Sequence, residues 1–126
     1  MNGVIVRKTK IVSDDERRTI TEVMNGELRI ANLKILHVKK GEQLLGNHWH
    51  QYSEVMHIIK GKAKYRMKNI DTGEQQDYDL EEGDTIFRTG RVTHSGWFEE
   101  DSIILDGAEC TYIGSDFNDI KEVILE

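Results

Sequence analysis

The 126-residue chain contains no proline and only one cysteine, Cys110. Without proline, its turns must be made by Gly, Asn and Asp, and eleven glycines are present for the purpose. A lone cysteine excludes an intramolecular disulfide and any cysteine-based zinc motif. It makes a reducing compartment the simpler expectation. There is no excess of positive charge either. Seventeen Lys and Arg stand against 23 Asp and Glu, interspersed, for a formal net charge of −6. A nucleic-acid partner would call for a basic face, so none is expected. No apolar run approaches a membrane span, and the opening MNGVIVRKTKIV has no signal-peptide apolar core. The expectation is a cytoplasmic protein that stays off the membrane. Its length suits a single domain, residues 1–126, with one hydrophobic core and no staples.

Gly41 to Gly61, GEQLLGNHWHQYSEVMHIIKG, holds the densest chemistry. Strand side chains alternate between faces, so residues an even number apart share one. His48, His50 and Glu54 are two and four apart. On an unbroken pleat two imidazoles and a carboxylate converge, and such groups cost free energy when buried without partners. A divalent metal would answer that cost. Trp49 lies between the histidines and should face away, as packing or an oligomer contact. His57 is at odd spacing from Glu54 and should point to the opposite face, at an interface or the surface.

Around this stretch the pattern is β throughout. One strand is expected within Gly3–Val12, a charged turn at Asp14–Arg18, and a strand over Thr19–Val23. Asn25-Gly26 is a hairpin signal. Leu28–Val38 reads as the longest strand, with a bulge or bend to reconcile Leu28 and Ile30 with Ala31, Leu33 and Ile35. His37 reads as structural. Strands follow at Ser53–Lys60 and Lys62–Asn69. In the second, Ala63, Tyr65 and Met67 alternate with Lys62, Lys64, Arg66 and Lys68, giving an apolar inner and a cationic outer face. Gln75–Leu80 is a polar edge strand, followed by Thr85–Arg88, His94–Phe98, Ser102–Leu105 and Glu109–Ile113. Phe117, Ile120, Val123 and Ile124 suit a short amphipathic C-terminal helix capped by Asp116. Cys110 is expected to be a small buried residue. Many short strands with Gly, Asn and Asp turns indicate an all-β sandwich or barrel.

Gly41, His48, His50, Glu54 and Gly61 together resemble the first motif of the cupin superfamily. The interval from Gly41 to His48 is one residue longer than usual. Gly83 and His94 stand at the separation of the second motif, with Thr89 in place of its proline and Arg91 in place of its second glycine. The resemblance implies a double-stranded β-helix, the jelly-roll cupin barrel, here with the short C-terminal helix. It also implies that His48, His50, Glu54 and His94 hold one divalent transition metal: Zn, Ni, Fe or Mn. Trp97, close behind His94, is placed either at the barrel mouth or in packing.

A narrower resemblance joins Gly46-Asn47-His48-Trp49-His50 to cupin domains of capsular-polysaccharide synthesis enzymes. Asp15–Val23 is similar to a segment near the start of nucleotide-sugar ketoisomerases and epimerases, with Arg18 where those have Gly. The turn Asp71–Glu74 and the stretch Ser115–Asp119 resemble the same group. The expectation is a single-domain RmlC-like cupin acting on a nucleotide-linked sugar in polysaccharide biosynthesis, by proton transfer next to a keto group. Such a reaction needs a base matched to the working pH. Outside the ligands the candidates are Tyr65, His57 and Tyr52. A metal-dependent iron dioxygenase is one alternative, and a non-enzymatic small-molecule or metal-binding cupin another. A homodimer is expected from the resemblance and from the prevalence of two-fold oligomers.

Overall fold

The computed structural model describes the backbone of residues 1–111 and 119–122, and the side chains of residues 1–41 and 51–111. Twelve strands are described: β1 (Val4–Arg7), β2 (Ile11–Asp14), β3 (Thr19–Thr21), β4 (Asn32–Val38), β5 (Gly41–His50), β6 (Glu54–Lys60), β7 (Lys62–Asn69), β8 (Gln75–Glu81), β9 (Thr85–Arg88), β10 (Val92–Phe98), β11 (Ser102–Ala108) and β12 (Asp119–Glu122). They form two five-stranded antiparallel sheets, ordered β1-β9-β6-β11-β4 and β12-β5-β10-β7-β8, and a two-stranded arm, β2-β3. The stretch Gly41–Gly61 crosses from one sheet to the other between His50 and Glu54.

Alternation decides what lies between the sheets. On β7 the buried residues are Ala63, Tyr65, Met67 and Asn69, with Lys62 and Lys64 exposed, so the cationic face is outermost. Val4, Ile58, Leu80, Ile86, Val92, Phe98 and Ile104 complete the core from six other strands. Two glycines are demanded by this packing. Gly61 turns β6 into β7 at φ 113°, where a Cβ would lie 1.9 Å from Ser102 Oγ. Gly96 leaves room for the Tyr65 ring, which a Cβ would approach to 2.5 Å. The position of the second cupin-motif glycine, occupied by Arg91, keeps a left-handed backbone at φ 68°. The Arg91 guanidinium is bonded to Asp71 at 2.8 Å.

Several elements differ from the sequence reading. Gly3–Val12 contributes to two strands, β1 and β2, and the charged turn Asp14–Arg18 closes the β2-β3 arm. There Asp15 Oδ1 accepts the Arg17 and Arg18 N–H groups at 2.8 and 3.2 Å. Asn25-Gly26 is a turn, with Gly26 at φ 89°, but not a hairpin: β3 pairs with β2 and β4 with β11. The parity conflict in Leu28–Val38 is resolved by β4 starting at Asn32, with the buried Leu28 in the preceding loop. β11 runs on to Ala108, past the expected end at Leu105. Asp119–Glu122 is a strand paired with β5, so the expected C-terminal helix does not run through these four residues. Backbone pairing along the β5 edge replaces the helical hydrogen bonds that the apolar spacing alone favoured. The rest of that expected helix, and Ser115–Asn118, lie outside the described residues.

Candidate functional site

Between the sheets the interior changes character along β6. Ile58 stands opposite Ile104 of β11. Met56 stands opposite Asp106 of β11 and Ile86 of β9, and Glu54 opposite Ala108 and Arg88. Each step of two residues keeps the same face, so an apolar floor gives way to ionisable groups. Glu54 is buried, and its Oε2 accepts a hydrogen bond from the Arg88 guanidinium, with both side chains about nine-tenths buried. This ion pair is a directly opposed cross-strand pair, the closest lateral contact a sheet provides.

From the facing sheet come Tyr65 and His94. Their rings stack at 6.3 Å between centroids and 24° between planes, and Tyr65 also meets Phe98 edge-on at 6.0 Å. Burial pushes the Tyr65 phenol well above its usual range; the Arg88 charge opposes this and the Asp106 and Glu54 charges add to it. Asp106 is raised to about 6, chiefly by burial and then by the Glu54 charge, against the pull of Arg88 and Lys34. Glu54, Arg88, Asp106 and Tyr65 thus lie in one another's fields, and His94 touches the last of them. A carboxyl poised near pH 6 is suited to accepting and returning protons, while a phenol held neutral is suited to donating a hydrogen bond.

The expected site residues divide as follows. Glu54, Tyr65 and His94 share the interior. Position 94 on β10 is the register partner of position 48 on β5. The side chains of His48, Trp49 and His50 lie outside the described residues. His57 is buried rather than at a surface. It lies on the opposite face of β6 from Glu54, with Nδ1 2.8 Å from Thr85 Oγ1, its register partner. Burial lowers its pKa, with Asp84 opposing and Arg7 adding. That face is covered by the chain's first third: Arg7 lies over the Phe87 ring at 5.4 Å and bonds the Val23 carbonyl and Glu27. Trp97 shares its face with Thr93 and Ser95, opposite Lys64, and so turns away from His94 and the barrel interior. His37 is exposed on β4, and Cys110 and Tyr52 are half-buried.

Arg88 and Asp106 were not foreseen. Their signal is parity: Ile86 and Arg88 share a face, as do Ser102, Ile104 and Asp106. Among the described residues no cluster of three or more His, Cys, Asp or Glu is placed to hold a metal ion. The donor chemistry of three imidazoles and a carboxylate suits a divalent transition metal. The Arg88 guanidinium bonded to Glu54 does not, because it sets a fixed positive charge on the carboxylate the metal would need.

No protein-family model matches the chain, and no curated protein matches its sequence. Solved structures do match. The QdtA 3,4-ketoisomerase from Thermoanaerobacterium thermosaccharolyticum, in complex with TDP, aligns at a TM-score of 0.78 and 19% identity, over 95% of this chain and 88% of that one. The fold is that of the RmlC-like cupins. The WlaRB TDP-quinovose 3,4-ketoisomerase from Campylobacter jejuni aligns at 0.81 and 12% identity, over 95% and 93%. The rmlC epimerase of Mycobacterium tuberculosis aligns at 0.77 and 16%, over 89% and 66%. All-β architecture and barrel are therefore as the sequence led one to expect. Among the described residues no helix is long and apolar enough to cross a membrane.

Proposed function

We propose that this RmlC-like cupin is a nucleotide-sugar isomerase or epimerase that moves a proton next to a keto group. The observation that carries the reading is the ionisable cluster Glu54–Arg88–Asp106–Tyr65 set beside the apolar core of the described residues. Burying that many titratable groups costs stability, and perturbed groups of this kind cluster at functional sites. Similar barrels belong to enzymes of that class, one solved with TDP-4-keto-6-deoxyglucose bound.

Removal of a proton beside a ketone leaves an enolate, and the chain must supply an acceptor for the proton and a counter-charge for the oxygen. Tyr65 is suited to hydrogen-bond the sugar rather than to act as base, since its phenol stays protonated at any working pH. His57, bonded to Thr85 on the far face of β6, has no path to the interior. The test is solvent deuterium wash-in, followed by mass spectrometry, across a panel of TDP-4-keto sugars. Incorporation at a carbon beside the ketone is expected. No incorporation into any member, with the folded protein in excess, would sink the reading.

A second reading, a metal-binding cupin with His48, His50, Glu54 and His94 as ligands, draws support from the pairing of position 94 with position 48. When bound, a divalent ion would polarise the keto oxygen; in an oxygenase it would be iron. Elemental analysis after purification without added metal decides it: less than a tenth of an equivalent of any transition metal counts against this reading. Ligand binding without turnover would instead favour a non-enzymatic module. We also propose a cytoplasmic homodimer. β4 is a sheet edge on which Leu33 and Ile35 are each 61% exposed and Leu36 37%, and the β2-β3 arm exposes Ile11, Val12 and Ile20. Apolar edges of this kind invite a second copy. A monomer by sedimentation at micromolar concentration would contradict the dimer.

A further inference from the structure

Arg88 shares its strand face with the core residue Ile86, and nothing in the sequence motifs accounts for it. Its side chain is 10% exposed, and it is opposed in register to a carboxylate that is itself buried. The guanidinium carries five N–H donors. One is spent on Glu54 Oε2, and no other hydrogen bond or ion pair engages the group among the described residues. A buried guanidinium left with open donors is held ready for an acceptor that is not part of the described chain. The surroundings say what kind. Glu54 and Asp106 set two carboxyl groups against the Arg88 and Lys34 charges, so the carboxylates repel a phosphate and the described residues offer no excess positive charge to offset that repulsion. A neutral carbonyl oxygen meets no such repulsion, and negative charge arrives on it only as the neighbouring proton leaves.

We propose that Arg88, braced by Glu54, is the group that receives the substrate's keto oxygen and stabilises the enolate, in the place where a cupin of this ligand set would use a metal ion. This rests on the isomerase or epimerase reading above. In the step, the substrate's C–H bond breaks, its proton passes to a base in the barrel, and the electron pair becomes the enolate C=C as the carbonyl oxygen takes the charge against Arg88. Reprotonation reverses the electron flow, so no oxidant, reductant or co-reactant is consumed. Glu54 is then a positioning residue: it fixes the guanidinium plane on the strand opposite.

The experiment has two arms, so that failure of this inference is distinct from failure of the enzymatic reading. In the first, chelator-treated wild type, Arg88→Lys and Arg88→Gln are compared by deuterium wash-in and turnover on the TDP-4-keto-sugar panel, with TDP affinity measured by calorimetry. Wild type is expected to work without metal. Arg88→Gln should lose at least a hundredfold in kcat, with KM and TDP affinity within about threefold, and Arg88→Lys should recover part of the loss. Metal-dependent wild-type activity, or an unchanged kcat in Arg88→Gln, would overturn the proposal.

The second arm needs no substrate. Cobalt(II) is titrated into wild type and Arg88→Gln and followed by its visible absorption. Release of Glu54 from the guanidinium should raise cobalt affinity at least tenfold in the variant. Equal affinities, or tight wild-type binding that Glu54→Gln abolishes, would overturn the proposal even if no keto sugar turns over. Should Arg88→Gln fail to fold, Glu54→Gln/Arg88→Gln carries the activity arm with both charges removed, and Arg88→Lys carries the cobalt arm.

Discussion

The two halves of the barrel interior are built from the same strands and do opposite work. Around Ile58, Ile86 and Ile104 the inward positions of β6, β9 and β11 are aliphatic and sealed, with relative exposures of 0–2%. Four residues back along β6, and two further along β9 and β11, the same face presents Glu54, Arg88 and Asp106. The apolar half contributes stability simply by leaving water. The charged half gains nothing comparable, because desolvation of its carboxylates and guanidinium roughly cancels their attraction. On the proposed function, a fold that keeps such a half gives up stability for chemistry, and that trade can be measured.

The largest effect should come from breaking the charged pair on one side only. Glu54→Leu strands the Arg88 guanidinium in the interior and is expected to cost about 3–5 kcal/mol, read from the midpoint and slope of urea unfolding. Glu54→Leu/Arg88→Met, which turns the charged half into an imitation of the apolar one, should recover most of that loss or exceed wild-type stability. It should also lack turnover. If the single substitution costs under about 1 kcal/mol, the pair is not buried as described and the contrast fails.

Next comes a cut in the apolar half. Ile58→Ala removes a fully buried side chain and leaves a cavity between the sheets, at about 3 kcal/mol. Because Ile58 lies two register steps from Glu54, the loss should appear in unfolding and not in nucleotide affinity. A matching loss of TDP binding in folded protein would show that the two halves are mechanically coupled rather than merely adjacent.

How much of this contrast could be read beforehand follows from the same alternation. β7 and β9 were bounded correctly because their patterns and turn residues are local. Tyr65 was placed on the inner face by parity with Ala63 and Met67, and Glu54 and His57 were correctly set on opposite faces of one strand. Asp106 escaped because aspartate is a poor strand former, so β11 was ended at Leu105, one residue before it. Arg88 closes a four-residue strand, where a long cation reads as rim. Only the pairing with Glu54 across β6 and β9 makes it interior, and register between strands 34 residues apart is not a local property of the chain. The same holds for Asp119–Glu122, where pairing with β5 overrode a helical spacing, and for His57, whose covering layer is supplied by residues from the first third of the chain.

The smallest of the expected effects is also the most specific to the charged half. Asp106 has its carboxyl raised from 3.8 to about 6. Protonated, it sits comfortably in the folded barrel; ionised, it does not. Its favourable contribution is therefore complete below about pH 4 and is lost as pH rises through about 6. Asp106→Asn removes that loss. At pH 7.5 the variant should be more stable than wild type by about 2 kcal/mol, and at pH 4 the two should coincide. His57, whose pKa is lowered by burial, acts with the opposite sign: it costs stability as pH falls below its ordinary value of 6.5, equally in both proteins. The difference between the two unfolding curves thus isolates Asp106. A difference that is flat from pH 4 to 7.5 would mean that the carboxylate is already solvated, and the charged half would then be an open rim rather than an interior held in readiness for a ketone.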